Sequence, residues 1–154
     1  MKIGIIVYSQ TGNTYEVAQK IQELLTKKGN SVKIERIDVK NEKERDIKKI
    51  QIINGPDISK YDALIFGSPV HAFSLSSVMT AFLSQLKSLE GKKVSCFVTK
   101  GLPLKGTGGN QAISKMKGIC ESKGGEFCRS EIVICNKDKE KQIAKVSEEL
   151  GRLF

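Results

Sequence analysis

The stretch Lys2-Ile3-Gly4-Ile5-Ile6-Val7-Tyr8-Ser9-Gln10-Thr11-Gly12-Asn13-Thr14 decides the fold. Residues 2–8 are β-branched and apolar nearly throughout, too few for a helix, as in a strand covered on both faces. The six residues that follow are hydroxyl and amide side chains around one glycine. From residue 13 the period changes: Val17, Ile21, Leu24 and Leu25 share one helical stripe, which Gly29-Asn30 ends. A buried strand that feeds a helix through a polar turn opens a β–α–β unit, whose strands pair in parallel.

The same alternation continues outward. Residues 31–38 set Val32, Ile34 and Ile37 against Lys33, Glu35 and Arg36, a strand with one better-buried face, as at a sheet edge. Residues 62–67, 93–99 and 126–135 read as three further strands. Leu75, Val78, Met79, Phe82 and Leu86 mark a helix that ends near Gly91. Ile113, Met116, Ile119 and Cys120 mark another, ending at Gly124-Gly125, and Ile143, Val146, Leu150 and Leu153 mark a last one. Residues 38–49 carry nine charges of mixed sign and fit a short solvated helix or a loop. The expectation is an α/β fold: one domain, residues 1–154, with a doubly wound five-stranded parallel sheet, helices on both faces and right-handed crossovers.

Composition excludes several classes. With 154 residues, 39% hydrophobic, 28% charged, 14 glycines and 3 prolines, the chain is long and apolar enough to bury a core. No apolar run approaches the roughly 18 residues of a membrane helix. One lysine precedes the first apolar stretch, which runs into the polar turn and not into a small-residue cleavage site, so no signal peptide is expected and the cytoplasm is the default location. Cysteines 96, 120, 128 and 135 contain no Cys-x-x-Cys pair, and His71 is the single histidine, so no metal site is expected. Cys128 and Cys135 lie on one expected strand, roughly 23 Å apart along it, too far for a disulfide. Small, buried, reduced thiols are the expectation for all four.

Ligands of open parallel sheets bind outside the carboxyl ends of the strands, beside the point where strand order reverses. The loops after residues 8, 67 and 99 are therefore the candidates. The first, Ser9-Gln10-Thr11-Gly12-Asn13-Thr14, combines unpaired amides at a helix start with hydroxyl donors and a glycine that lets backbone approach an anion. A phosphate held by neutral donors fits this loop. A helix N-cap is the competing reading, but a cap uses one or two such residues and here six are consecutive. No lysine follows Gly12, which excludes a Walker A loop, and the loop has one glycine where the dinucleotide fingerprint needs three.

Val7-Tyr8-Ser9-Gln10-Thr11-Gly12-Asn13-Thr14 resembles the phosphate loop of flavodoxins, whose pattern is Thr/Ser-x-Thr-Gly-Asn-Thr. The resemblance covers essentially the whole chain, with five β/α units at a length that matches the short-chain type. It implies the sheet order 2-1-3-4-5 and FMN as cofactor at the switch point. Gly67-Ser68-Pro69-Val70-His71-Ala72-Phe73 is similar to the family's second flavin segment, and the resemblance places Ser68, Pro69, Val70, His71, Ala72 and Phe73 along one edge and face of the ring. Pro69 would stiffen the turn. His71 reads equally as a surface loop histidine, and Phe73 as a core aromatic at a helix start. The third loop, residues 99–110, is glycine-rich like the family's third, implying contacts from Thr99, Lys100, Gly101, Thr107, Gly108 and Gly109.

Two departures bear on activity. His71-Ala72-Phe73 has no glycine where many flavodoxins carry a Gly-Asp pair whose peptide flips on reduction, and a φ above zero costs more at Ala than at Gly. The third loop lacks the covering Tyr or Trp, which would leave the flavin open on one side. The chain also carries a net charge of +9, whereas flavodoxins are commonly acidic, and residues 87–117 hold seven lysines against Glu90 alone, with Lys100 and Lys105 in the third loop itself. Positive charge near a flavin would favour its reduced anion and attract an acidic redox partner such as a ferredoxin, or the phosphates of NAD(P)H. A lysine-rich solvated surface is the plainer reading of that charge. No aromatic stripe interleaves with the lysines, so neither nucleic acid nor membrane is expected as a partner. Three functions follow: an FMN protein passing electrons between partners, with no catalytic side chain; an NAD(P)H-dependent quinone or flavin reductase on the same fold; and a binding module for another phosphate ligand.

Overall fold

A computed structural model describes residues 1–53, 55–71, 73–101, 108–136 and 138–154. Five parallel strands form the central sheet: β1 (Lys2–Val7), β2 (Ser31–Arg36), β5 (Ala63–His71), β7 (Lys93–Lys100) and β8 (Glu126–Ile134). Their spatial order is β2-β1-β5-β7-β8, the expected 2-1-3-4-5 when these five strands are counted. Helices α1 (Asn13–Lys27), α2 (Ser77–Gln85), α3 (Gly109–Ser122) and α4 (Lys139–Gly151) connect or follow them.

The period-2 pattern of the strands divides the core into two layers. Ile3, Ile5 and Val7 of β1, Ala63 and Ile65 of β5, and Phe97 of β7 pack with Val17, Ile21, Leu25, Ile143, Val146 and Leu150 from α1 and α4. The alternate residues Ile6, Tyr8, Leu64, Phe66, Val94, Cys96 and Val98 pack on the opposite face with Met79, Phe82, Leu83, Met116 and Cys120 from α2 and α3. β2 and β8 lie at the edges of the sheet, and the alternating half-burial of β2 is the physical outcome of that position. Tyr61 packs over β1 where Gly4 lacks a side chain; a Cβ at Gly4 would stand 2.6 Å from the Tyr61 ring.

Two segments differ from the sequence expectation, and a third, residues 38–49, takes one of its two expected forms. Residues 38–49 are mainly loop: β3 (Asp38–Val39) pairs antiparallel with β4 (Ile52–Ile53), and one 3₁₀ turn spans Ile47–Lys49. The third sheet strand does not stop at Gly67 but runs on to His71, where it turns into a hairpin with β6 (Ser74–Leu75). Leu75 therefore belongs to that hairpin, and α2 is shorter than its apolar stripe, because Leu86 is already extended at φ −66°, ψ 138°.

Ser76 caps α2. Its hydroxyl oxygen accepts from the Met79 amide at 3.2 Å and lies 2.8 Å from the Ser68 hydroxyl, both serines being fully buried. Ser76→Ala is expected to cost about 1–2 kcal/mol through loss of the cap. At about 2–4 °C per kcal/mol for a domain of this size, thermal denaturation should read a fall of about 3–6 °C.

Candidate functional site

The loops that follow β1, β5 and β7 meet at the carboxyl edge of the sheet. In the first, the Ser9 hydroxyl oxygen accepts from the Gly12 and Tyr15 amides, each at 3.2 Å. Gly12 takes φ +95°, the left-handed region that suits glycine, and its carbonyl accepts from Glu16 as α1 begins. Two backbone N–H groups at a helix start thus converge on one oxygen, in a loop with no charged residue. Gln10, Thr11 and Gly12 are exposed. Thr14 is buried instead, and its hydroxyl lies 2.9 Å from that of Thr99, tying the first loop to the end of β7.

The second loop begins as strand. Tyr8 N–H donates to the Gly67 carbonyl at 3.1 Å, so Gly67 turns its backbone groups toward β1. By alternation Pro69 faces the same way, beyond the last ladder residue of β1, and its missing N–H costs no sheet hydrogen bond. Pro69 pairs with Thr99 in the ladder; it does not form the turn. The turn falls between His71 and Ser74, where Phe73 takes φ +62° and stays 61% exposed. A left-handed φ at a bulky aromatic costs about 1–2 kcal/mol, so the positive φ expected to be awkward without glycine is present all the same, on Phe73.

The third loop joins this hairpin. Gly108 caps α3 at φ +101°, and a Cβ there would lie 2.4 Å from the carbonyl carbon of Phe73. Only a glycine allows the two backbones that approach. Among the described residues, Thr11, Asn13, Pro69, Val70, His71, Thr99, Lys100, Gly101 and Cys135 line one open cleft of about 310 Å³. Eight of these nine were candidates from sequence, drawn from all three loops. Ser9, Gln10, Gly12, Phe73, Gly108 and Gly109 lie on the surrounding loops, and Thr14 and Ser68 lie beneath them. Ala72 and Thr107 fall outside the described residues, as does Lys105.

Cys135 is the cleft residue that sequence reasoning missed. Its N–H donates to the Lys100 carbonyl at 2.7 Å, which brings the end of β8 against the third loop. The available signal was its place at the carboxyl end of the fifth strand. Burial raises its thiol pKa while Lys139 opposes the rise. Cys96 and Cys120 are buried as expected, the Cys120 thiol being pushed up to about 12, but Cys128 is exposed because β8 is an edge strand.

Of the lysine-rich segment, Lys100 lines the cleft, Lys93 stands at the opposite end of β7, about 23 Å away by strand rise, and Lys105 lies outside the described residues. Lys92, at the far end, donates to the carbonyls of Tyr61 and Ser59. Residues of the 38–49 loop add a smaller electrostatic effect at the site. The His71 ring stands edge-on to Tyr8, 6.3 Å between centroids and 86° between planes. Burial lowers the His71 pKa from 6.5, and Arg45 lowers it further; burial, then Glu42, raise that of Tyr8. The fold thus favours neutral His71. Its contribution leaves stability unaffected above pH 6.5 and destabilises progressively as pH falls through the unfolded value toward the lower folded one. Because His71 is the single histidine, its ring-proton NMR signal should titrate with a midpoint below 6.5, and His71→Gln should lessen the loss of stability over that acid range. A midpoint above 6.5 would contradict this environment.

The fold and cleft define a class: a doubly wound α/β domain with an uncharged polar loop and a cleft at its switch point. A family model described as a flavodoxin domain matches residues 4–126, and the chain belongs to the flavodoxin family. Among solved structures, the chain is similar to the two-electron reduced flavodoxin of Megasphaera elsdenii, with a TM-score of 0.71, 23% identity and coverage of 97% of this chain and 98% of that one. A flavoprotein from Lactobacillus acidophilus, solved in complex with FMN, gives a TM-score of 0.67 at 20% identity, over 94% and 97% of the two chains. A curated relative from Archaeoglobus fulgidus, an NAD(P)H dehydrogenase (quinone), is 26% identical over 120 residues, 66% of this chain. The match spans 63% of that relative's length.

Proposed function

We propose that the chain is an FMN-binding redox protein that passes electrons between partners. The observation that carries the reading is the convergence on one cleft of the Ser9–Thr14 loop, the β5–β6 hairpin and the end of β7. The residues suit the cofactor: the uncharged, hydroxyl-rich Ser9–Thr14 loop at the start of α1 matches a phosphate, and apolar Pro69 and Val70 with the His71 ring match a flat aromatic group. FMN, when bound, supplies electron storage and release. The protein's part is to hold it: the first loop anchors the phosphate, while Thr99, Lys100 and Gly101 face the hairpin across the cleft. No general acid or base is needed for this role.

A second reading, an NAD(P)H-dependent reductase of quinones or flavin, is favoured by Phe73 occupying the turn where a flipping glycine pair would stand. The Archaeoglobus relative agrees with it. An acidic redox partner such as a ferredoxin, or NAD(P)H, would supply the electrons, in the cytoplasm. Among the described residues no helix is long and apolar enough to cross a membrane.

Anaerobic reductive titration separates the two. A long-wavelength absorption band at half reduction supports the electron carrier. Its absence, together with stoichiometric NADPH oxidation when a quinone is added, would replace the carrier with the reductase.

A further inference from the structure

The first loop carries no charge of its own, yet a phosphate ester of pKa near 6 is close to a dianion at neutral pH. Of the cations near that loop, Arg36 is held against it by contacts to Ser9 and Tyr15. Arg36 is the last residue of β2 and stands opposite Val7 in the ladder, so it leaves the sheet at the carboxyl edge next to Ser9. Its guanidinium lies 4.5 Å over the Tyr15 ring, and Nη2 donates to the Ser9 carbonyl at 3.4 Å. Contacts to two elements, one a cation–π stack, hold a long side chain that would otherwise sweep through solvent.

Those two contacts are to residues at the turn from β1 into α1. Ser9 is the side chain on which the amides converge, and Tyr15 supplies one of the amides. A second cation nearby, Lys139, is engaged by the Glu16 carboxylate at 2.8 Å and by Asn13. Arg36 makes no ion pair among the described residues, so its charge is not cancelled by a carboxylate in contact with it.

We propose that Arg36 is the specificity residue for the phosphate of the cofactor: it sets the preference of this site for FMN over riboflavin. The inference rests on the FMN reading above. It differs from an anchoring role in the fold, because the residue is exposed on an edge strand and acts by charge. A unit charge and a dianion separated by less than about a Debye length, in a water-like dielectric at low salt, change an affinity by several-fold, up to about tenfold. Salt near 0.5 M should remove most of the effect, since the Debye length there is about 4 Å.

The test is the dissociation constant of each flavin, read by quenching of flavin fluorescence, for the wild-type chain and two variants. Arg36→Met keeps an unbranched stem over Tyr15 and removes the charge; Arg36→Lys keeps the charge and removes the planar stack. The expected result is a five- to tenfold weaker FMN complex for Arg36→Met at low salt, with riboflavin changed by less than twofold and the difference closing at 0.5 M salt. Arg36→Lys should retain most of the FMN preference. Equal weakening of both flavins, or no weakening of either, would overturn the proposal while leaving FMN as the cofactor. A wild-type chain that binds no FMN would overturn the cofactor reading and this inference with it.

Discussion

Gly108→Ala is expected to weaken FMN binding at least tenfold and to cost about 2–3 kcal/mol of stability. Two effects add at this position. The residue sits at φ +101°, where a side chain costs about 1–2 kcal/mol. Its Cβ would also fall within 2.4–2.6 Å of the carbonyl carbon, Cα and oxygen of Phe73. These are backbone atoms and cannot rotate aside, so either the start of α3 or the β5–β6 hairpin must move. The hairpin carries His71 and the start of α3 adjoins the third loop, so movement of either displaces a wall of the cleft. Fluorescence titration with FMN reads the first effect and denaturant unfolding of the flavin-free chain reads the second. Affinity within twofold of wild type would show that the close approach of Gly108 to Phe73 does not shape the site.

Gly67→Ala should be at least as costly to stability, for a different reason. Its Cβ would meet the Phe97 ring at 2.3–2.8 Å in a layer where Phe97 has no exposed surface. Overpacking of this kind costs about 3 kcal/mol, which for a domain of this size lowers the denaturation temperature by about 10 °C. The clash is between two named side chains, so it can be relieved by shrinking the second. In the double variant Gly67→Ala/Phe97→Leu the penalty should be clearly less than the sum of the single penalties, since residues in contact couple. Strict additivity would contradict the packing described here.

The fold was legible where burial on both faces left a continuous apolar run. Residues 2–8, 62–67 and 93–99 read as central strands because both layers of helices cover them, and the half-alternation of residues 31–38 read as an edge. The extension of β5 to His71 was not legible. It depends on pairing Pro69 with Thr99, thirty residues away, and on β1 ending just short of Pro69, so that a residue without an N–H is tolerated. Local pattern carries neither fact. The polar loop after β1 was legible as a candidate anion site because its chemistry is contiguous in sequence. Cys135 and Arg36 were not, since each reaches the site from the end of another strand and only the sheet order brings them there. The lysine-rich segment was legible in part: Lys100 lines the cleft, while Lys93 stands at the far end of the same eight-residue strand. In the reverse direction, the charged loop at residues 38–49, which carried no functional signal, adds to the larger effect of burial on Tyr8 and His71.

The central claim is that the three loops form an FMN site. Its most direct test is to equilibrate the purified chain with excess FMN, remove unbound flavin by gel filtration and record the visible spectrum of the protein fraction. A yellow protein carrying one FMN per chain is expected, with less flavin retained on substitution of Gly108. A protein fraction that emerges colourless, or that retains riboflavin as tightly as FMN, would contradict it.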